Sequence, residues 1–293
     1  MSVPTTELQR RVLAWYDRHA RELPWRDPEA GAWAVLVSEI MLQQTQVSRV
    51  LPAYRAWLER WPTPAALAAD PVGEAVRAWG RLGYPRRAIR LHQAATAITE
   101  RHAGVVPSDI ESLRALPGIG DYTAAAVATF AYQGRHPVLD TNVRRVLTRA
   151  IDGAALPGPS VRIAERETAR GLLPDDPSVA ARWSVAVMEL GALVCTARGP
   201  HCEACPIADR CRWRTSGYPA YDGPRRPTQS YDGTDRQCRG ALLAVLRAAT
   251  GPVRRRELEA AWDQSQQRER ALDGLVADGL VEPLDGDRFG LPR

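Results

Sequence analysis

Four of the five cysteines in this chain lie within one segment of seventeen residues, CTARGPHCEACPIADRC. Their spacing is Cys195-x6-Cys202-x2-Cys205-x5-Cys211. Thiolates at this density are expected to converge on one metal centre, and ligand number alone leaves both zinc and a 4Fe–4S cluster open. The full spacing differs from the paired Cys-x2-Cys hairpins of common structural zinc sites. We expect the segment to fold into a compact loop around its ligand, and the alternative is four unrelated buried cysteines.

The surroundings of these cysteines indicate the compartment. Cysteines clustered in this way do not form a secreted disulfide framework, and Cys238, outside the spacing, is expected to be an ordinary buried thiol. The N-terminus lacks a signal-peptide pattern, and no run of about 18 apolar residues is present. We expect a cytoplasmic protein without a membrane span. Four arginines flank the cysteines and could face phosphates or balance the thiolate charge: Arg198, Arg210, Arg212 and Arg214.

The charge of the chain favours a polyanionic partner. Its 293 residues carry a net charge of +5, and the isoelectric point is near 9.2. The sequence contains no lysine, so arginine supplies all of the fixed positive charge. The length is sufficient for one large domain or two modest ones with an appendage.

Helical periodicity dominates the first two hundred residues. Residues 8–23 place apolar side chains at helical spacing, and residues 32–61 form a longer helical stretch that we expect to be interrupted at Pro52. Short segments rich in proline and glycine separate the later helices, and alternating strand patterns are scarce. The sequence therefore predicts a mostly α fold in two lobes.

The composition changes after the cysteines. Residues 216–236 are rich in Gly, Pro, Ser and Asp and read as a linker, whereas 237–293 contain three amphipathic segments and a hairpin pattern around Asp285-Gly286. This order predicts a small winged-helix-like module. Such modules read DNA or bind proteins, and the sequence leaves both roles open.

The stretch LPGIGDYT, residues 116–123, predicts a helix–hairpin–helix. Gly118 and Gly120 form a tight turn that leads directly into an alanine-rich helix, so free backbone N–H groups point outward at the helix N-terminus. That arrangement binds a phosphate without side-chain charge. Asp140, in VLDTNV, follows at the start of another helix, where a simple N-cap is the alternative to a catalytic role.

Together these motifs resemble the helix–hairpin–helix DNA glycosylase superfamily, which has a Gly/Pro-rich loop and a catalytic aspartate. Within it, LPWR, SEIMLQQTQV, LGYPRRA, LDTNVRRVL and MELGALVCT resemble the MutY-type adenine DNA glycosylases over about residues 8–215. The resemblance implies a core over 1–215, with a six-helix lobe at about 26–137 and a cluster lobe at 1–25 plus 138–215. It also implies a 4Fe–4S cluster on the four cysteines and monomeric, nucleoid-associated action on double-stranded DNA with A:8-oxoguanine or A:G mispairs.

The resemblance assigns chemistry to two acids. Glu39 matches the acid that protonates adenine, and its apolar neighbours in AWAVLVSEIML should raise its pKa; a core glutamate paired with arginine is the alternative. Asp140 matches the residue that stabilises the oxocarbenium-like sugar. Tyr122 and Asn142 match residues near the reacting sugar and water. The adenine-pocket and DNA-contact positions are Arg21, Leu23, Trp25, Arg26, Leu42, Gln44, Thr45, Gly118, Gly120 and Glu189; of these, Trp25 and Leu42 fit a plain core role equally well.

Three departures from the family pattern matter. Residues 237–293 stand where most members carry a Nudix-like domain, Pro85 replaces a tyrosine of the intercalating motif, and Thr141 replaces a glycine. The absence of lysine excludes the Schiff base of bifunctional relatives, so we expect base removal without efficient strand cleavage. Two alternatives remain: another mismatch or oxidised-base glycosylase, and a non-catalytic DNA-binding regulator.

Overall fold

The computed structural model describes residues 5–223 and 231–293, which contain fifteen α-helices and one three-stranded sheet. The mostly α prediction is confirmed. None of the helices in these ranges is long and apolar enough to cross a membrane. The helices are α1 Thr5–His19, α2 Gly31–Leu42, α3 Val47–Arg60, α4 Pro64–Ala69, α5 Val72–Trp79, α6 Arg86–Arg101, α7 Ile110–Arg114, α8 Asp121–Tyr132, α9 Thr141–Leu147, α10 Ile163–Gly171, α11 Pro177–Leu193, α12 Arg212–Thr215, α13 Asp235–Ala248, α14 Arg255–Glu259 and α15 Ser265–Ala277.

Side-chain caps fix the starts of several helices. Thr63, Asp176 and Thr234 each accept a hydrogen bond from the backbone N–H three residues ahead, at the beginnings of α4, α11 and α13. Each such cap satisfies a donor that the helix itself leaves unpaired.

The predicted interruption at Pro52 is wrong. Pro52 is the sixth residue of α3 and lies inside the helix. The break falls instead between α2 and α3, where Gln44 adopts a left-handed φ of 54°. A proline near the start of a helix removes a single backbone hydrogen bond, whereas a left-handed residue turns the chain out of the helix altogether.

The described chain divides into two compact units. Of the described residues, the first unit comprises 5–35, 108–114 and 120–223, and the second comprises 36–107, 115–119 and 231–293. In the first unit, Leu8, Val12 and Trp15 of α1 belong to the same buried cluster as Trp183 and Leu190 of α11. Helix α9 also packs against α11, so this core positions the start of α9.

Three tryptophans mark the core of the second unit. The ring of Trp57 lies 4.6 Å from that of Trp61 and 5.7 Å from that of Trp79, both in edge-to-face geometry. All three are almost fully buried. Since an edge-to-face pair adds about 1 kcal/mol to the burial of its area, this cluster anchors α3 and α5.

The C-terminal part of the second unit contains helices α13, α14 and α15 with strands β1 Val253–Arg254, β2 Glu282–Leu284 and β3 Arg288–Gly290. The antiparallel sheet has the order β1-β3-β2. The predicted hairpin is present, and Gly286 and Asp287 both take positive φ in its turn. We refer to residues 235–293 as the C-terminal module.

Candidate active site and cluster loop

Asp140 is the N-cap of α9, as the simpler sequence interpretation predicted, yet its environment is unusual for a cap. One carboxylate oxygen accepts the Val143 N–H at 2.6 Å and the other accepts the Asn142 side-chain N–H at 2.7 Å. Burial raises the pKa of Asp140, while these two hydrogen bonds and the charge of Arg145 oppose the rise. The carboxylate is therefore held by neutral donors in a poorly solvated place, which makes its charge available to a cation.

A chain of hydrogen bonds orients Asn142. Arg145 donates to Asn142 Oδ1 at 2.8 Å, which turns the amide N–H₂ of Asn142 toward Asp140. The same guanidinium donates to the Gly191 carbonyl at 2.7 Å and the Cys195 carbonyl at 2.6 Å. The aspartate, the asparagine and the beginning of the cysteine loop are thus fixed to one buried arginine.

Gly191 allows this arrangement. A Cβ at this position would lie 2.7 Å from the Cβ of Asn142 and 2.8 Å from its carbonyl oxygen. Because the second contact is to backbone, any larger residue in α11 would push α9 away. The glycine of MELG is explained by this close approach of the two helices.

Glu189 forms a buried ion cluster with the turn before α2. Its side chain is fully buried, and its two oxygens accept hydrogen bonds from Arg21 and Arg26 at 2.7 Å. Burial alone would raise the pKa of Glu189, but the hydrogen bonds from Arg21 and Arg26 bring it down to about 2. The structure therefore brings together three of the predicted DNA-contact residues in a stable ion pair network.

The remaining predicted residues of this segment flank the network. Trp25 lies in a short 3₁₀ turn, Pro24–Arg26, and is buried with 8% of its surface exposed. Leu23 is half-buried. The Arg26 guanidinium lies 6.0 Å from the ring of Tyr16 in α1. The RELPWR motif is thus fixed to the core of the first unit.

In the second unit, α2 presents Glu39 and then ends at a left-handed turn. Glu39 is buried with 6% of its surface exposed, in the apolar helix that the sequence indicated. Leu42 is half-buried, and Gln44 is exposed beyond the end of α2. Thr45 donates its hydroxyl toward the Leu82 carbonyl at 3.2 Å, which ties this turn to the segment before α6.

Arg87, which the sequence patterns do not single out, stabilises that turn by hydrogen bonds to its backbone. It is buried, and its guanidinium donates to the carbonyls of Ile40, Gln43 and Gly83 at 2.8, 2.6 and 3.0 Å. It also donates to the hydroxyl of Thr45 at 3.0 Å. Burial lowers the pKa of Arg87 to about 10. A guanidinium can serve so many carbonyls because its donors form a fixed planar fork.

The glycine turn before α8 has the geometry that the motif predicts. Gly118 has a φ of 76°, and a Cβ there would lie 2.7 Å from the Cβ of Arg90. Gly120 is exposed and forms the N-cap of α8 with no side chain in front of the helix start. Tyr122 is the second residue of the same helix and is half-buried. The exposed backbone at this helix start can bind an anion.

The four cysteines of the cluster loop influence one another. Burial raises the pKa of Cys205 to about 12, and charge on Cys195, Cys211 and Cys202 adds to the rise. No three His, Cys, Asp or Glu side chains in the described ranges stand so as to hold a single metal ion. Four thiolates are a ligand set that fits a 4Fe–4S cluster, in which each cysteine binds a different iron.

The counter-charge of the cluster loop comes from an unpredicted residue. Arg149 donates to the sulfur of Cys195 at 3.3 Å and to the carbonyl of Thr196 at 2.8 Å. Of the flanking arginines, two pair with carboxylates instead. The guanidinium of Arg210 lies 3.3 Å from the carboxylate of Asp209, and that of Arg214 lies 3.5 Å from the carboxylate of Glu203. The helical spacing of Arg145 and Arg149, one turn apart, is the signal that could have identified them.

Comparisons with known proteins identify the family of the chain. A family model described as HhH-GPD superfamily base excision DNA repair protein matches residues 37–167, and the iron-sulfur binding domain of endonuclease III matches 195–211. The chain is similar to adenine DNA glycosylase from Mycobacterium tuberculosis, with 55% identity over 96% of this chain and 92% of that protein. The corresponding protein of Mycolicibacterium smegmatis is 54% identical over 99% and 97%.

The fold is also similar to a solved structure. A thermostable thymine-DNA glycosylase superposes with a TM-score of 0.65 at 24% identity, covering 72% of this chain and 97% of that one, which speaks for the fold alone. The cysteine segment carries a 4Fe–4S cluster, as the matching iron-sulfur domain and the relatives indicate. The chain belongs to the HhH-GPD superfamily of base excision DNA repair proteins and, within it, to the adenine DNA glycosylase family.

Proposed function

We propose that this protein removes adenine opposite 8-oxoguanine or guanine in double-stranded DNA and leaves an abasic site without efficient strand cleavage. The similarity to adenine DNA glycosylases over almost the whole chain supports adenine as the base that is removed. The observation that carries the chemistry is the Asp140 carboxylate, partly buried and held by neutral donors.

In the proposed reaction, adenine is flipped out of the duplex, because its glycosidic bond is unreachable inside the base stack. Glu39 gives its proton to N7, and the bond between N9 and C1′ breaks with its electron pair going to the base. A water molecule then forms a bond to C1′ and returns its proton to Glu39. The buried position of Glu39 in the apolar helix α2 supports its proposed role as the general acid.

Asp140 would stabilise the positive charge that develops on the sugar. A carboxylate with no guanidinium hydrogen-bonded to it is a strong partner for a new cation, and its effect is larger in the transition state than in the ground state. Asn142 donates a hydrogen bond to one carboxylate oxygen of Asp140, which fixes the orientation of the carboxylate. We assign Tyr122 to the same site, next to the sugar.

The remaining predicted residues are assigned to DNA and cluster binding. Gly118 and Gly120 would bind a backbone phosphate, and Gln44 would contact the strand opposite the flipped base. The cluster, when bound, supplies a rigid scaffold for the loop and no step of the reaction. The DNA-contact set also includes Arg21, Leu23, Trp25, Arg26, Leu42, Thr45 and Glu189, and the cluster ligands are Cys195, Cys202, Cys205 and Cys211. We further propose that the protein acts as a monomer on the nucleoid in the cytoplasm.

The test is single-turnover excision from duplexes that carry A:8-oxoguanine, A:G or T:G, with and without alkali. We expect release of adenine from the first two, strand breaks only after alkali, and no release of thymine. Asp140→Asn and Glu39→Gln should abolish excision and leave duplex binding intact. Asp152→Asn is a matched control, because burial also raises the pKa of Asp152 in the same unit.

Each other outcome would point elsewhere. Release of thymine would indicate the alternative mismatch glycosylase. Tight binding without any release would indicate the non-catalytic regulator. Strand breaks without alkali, at the rate of base release, would contradict the absence of lyase chemistry.

A further inference from the structure

The C-terminal module is joined to helix α5 by two arginines that cap each other's helices. Arg247, in the last turn of α13, donates to the carbonyls of Val76 at 2.8 Å and Gly80 at 2.5 Å, at the end of α5. Arg77, in the last turn of α5, donates to the carbonyl of Ala249 at 2.7 Å and to that of Arg247. Each guanidinium satisfies carbonyls that the other helix leaves unpaired, which is a favourable place for a cation.

The other end of α5 is covered by the C-terminal residues of the module. A Cβ on Gly73 would lie 2.3 Å from the carbonyl oxygen of Pro292 and 3.0 Å from the Cβ of Leu291. Glycine within a helix costs about 1 kcal/mol relative to alanine. Its presence in α5 is explained by the close approach of the chain end, so both ends of α5 contact the module.

The charge of the module argues against an independent role in reading DNA. Residues 235–293 contain ten arginines and ten acidic residues, whereas 1–215 contain 27 arginines and 22 acidic residues. On the exposed side of α15, Arg270 lies 3.3 Å from Asp235. Arg255 contacts Glu269 at 2.7 Å and Asp287, in the hairpin turn, at 2.9 Å. The module is thus electrically neutral, whereas 1–215 carry a net charge of +5, and a module without net positive charge has little overall attraction for phosphates.

Arg247 donates one of its hydrogen bonds to a segment with unusual backbone geometry. We refer to residues 80–84 as the left-handed loop, because Gly80, Gly83 and Tyr84 have φ values of 52°, 83° and 46°. Tyr84 is half exposed. A tyrosine in this region of φ is strained, and such strain persists only where the surroundings hold it.

Three groups hold this loop by its carbonyls. Trp79 and Arg87 donate to the Gly83 carbonyl at 2.9 and 3.0 Å. Arg247 donates to the Gly80 carbonyl from the C-terminal module. The loop is also linked to the turn of Gln44 through Thr45 and the Leu82 carbonyl. The module therefore contributes one of the hydrogen bonds that fix the left-handed loop. This loop is in turn linked to the predicted DNA-contact residue Thr45.

We propose that the C-terminal module is an internal brace of the glycosylase, with Arg247 as the positioning residue that fixes the left-handed loop for contact with duplex DNA. The proposal rests on the proposed function in that the ligand is a mispaired duplex. Burial lowers the pKa of Arg247 to about 10, so it remains a cation at physiological pH. The module acts through the loop and does not itself read the DNA.

The experiment compares Arg247→Met with Arg77→Met, a control that breaks the other half of the same reciprocal contact. Hydrogen exchange measured by mass spectrometry on the free protein should accelerate about tenfold in residues 80–84 of R247M. In R77M the acceleration should appear in residues 246–250 instead. If the left-handed loop exchanges equally in both variants, or is unchanged in R247M, the proposal is overturned.

A binding measurement supplies the functional readout. For a duplex with an abasic-site analogue opposite 8-oxoguanine, R247M should bind about tenfold more weakly and R77M within about twofold of wild type. Excision of adenine at saturating enzyme should stay within about twofold in both, because neither touches the reacting groups. Equal loss of affinity in both variants would show that the module only stabilises the protein in a general way, and this would contradict the proposal.

Two further controls keep the outcomes separate. If R247M does not fold, R247K replaces it, and its single ammonium should bind one carbonyl and give an intermediate change in the left-handed loop. An R247K protein with wild-type exchange and affinity would contradict the positioning role. Failure of the wild type to release adenine would overturn the proposed function, while the exchange experiment would still decide the role of the module.

Discussion

Two carboxylates of the first unit, at the start of α9 and in the middle of α11, have opposite electrostatic environments. Glu189 is fully buried between two arginines, and its pKa is lowered to about 2. Asp140 receives one backbone N–H and one amide N–H, and its pKa is raised. Burial acts in the same direction on both, so the difference lies in the partners. The first carboxylate is neutralised within the fold, whereas the second accepts hydrogen bonds from neutral donors, which is the environment that its proposed role beside a sugar cation requires.

The largest expected effect is on catalysis at Asp140. Asp140→Asn should lower single-turnover adenine excision by about 10³-fold or more, because a fixed charge opposite the developing sugar cation is lost. Thermal unfolding should show a midpoint that is unchanged or higher, since a charge in a poorly solvated place is removed. A variant that lost activity together with stability would contradict the distinction between the two carboxylates.

The next effect is on stability at Glu189. Glu189→Gln should destabilise the protein by about 3–5 kcal/mol, because Arg21 and Arg26 would keep their charge without a counter-ion. Denaturant unfolding measures this change, and Asp152→Asn serves as the control in the same unit. A glutamine variant with wild-type stability would show that the ion network contributes nothing to the fold.

The pH dependence of stability follows from the same residue. The folded pKa of Glu189 lies below its ordinary value of 4.5, so its contribution is complete above about 4.5 and is lost as the pH falls toward about 2. The expected loss across this window is roughly 3 kcal/mol. Unfolding measured at several pH values should show a shallower slope in Glu189→Gln than in the wild type, because other carboxylates with a lowered pKa, such as Glu7, contribute equally to both proteins.

The smallest of these effects concerns Asn142. Asn142→Ala removes the amide between Arg145 and Asp140, and we expect excision to fall by about tenfold while binding of duplex DNA is retained. The pH at which activity is half-maximal on the acid side should rise, because Asp140 loses a hydrogen bond that favours its charged form. An unchanged pH profile would contradict the role of Asn142 in holding the carboxylate.

The sequence predicted the local features of the site and missed its long-range contacts. The cap at Asp140, the turn at Gly118 and the compact cysteine segment depend on residues close together in the chain, so their patterns are readable. Arg145 contacts Cys195, fifty residues away, and Arg247 contacts Val76, 171 residues away. An arginine in a helix shows its charge in the sequence but not which carbonyls the fold will leave unpaired beside it.

The error at Pro52 has a related cause. Proline is visible in the sequence, whereas the left-handed turn at Gln44 depends on Arg87, which binds the Gln43 carbonyl from a different helix. A helix break that depends on tertiary contacts leaves no signal in the sequence at the residue where the helix ends. The contact between α5 and the module also depends on tertiary packing, so the sequences of α5 and α13 did not predict it.

The most direct test of the account is a titration of the Asp140 carboxyl carbon by NMR, with aspartate labelled with carbon-13 and Asp140→Asn used to assign the signal. We predict a pKa above the ordinary value of 3.8, matched by the acid-side pKa of adenine excision. A carboxyl that titrates at or below 3.8 would contradict the claim that burial outweighs the partners of Asp140, and an activity that does not follow its ionisation would contradict its proposed role in the reaction.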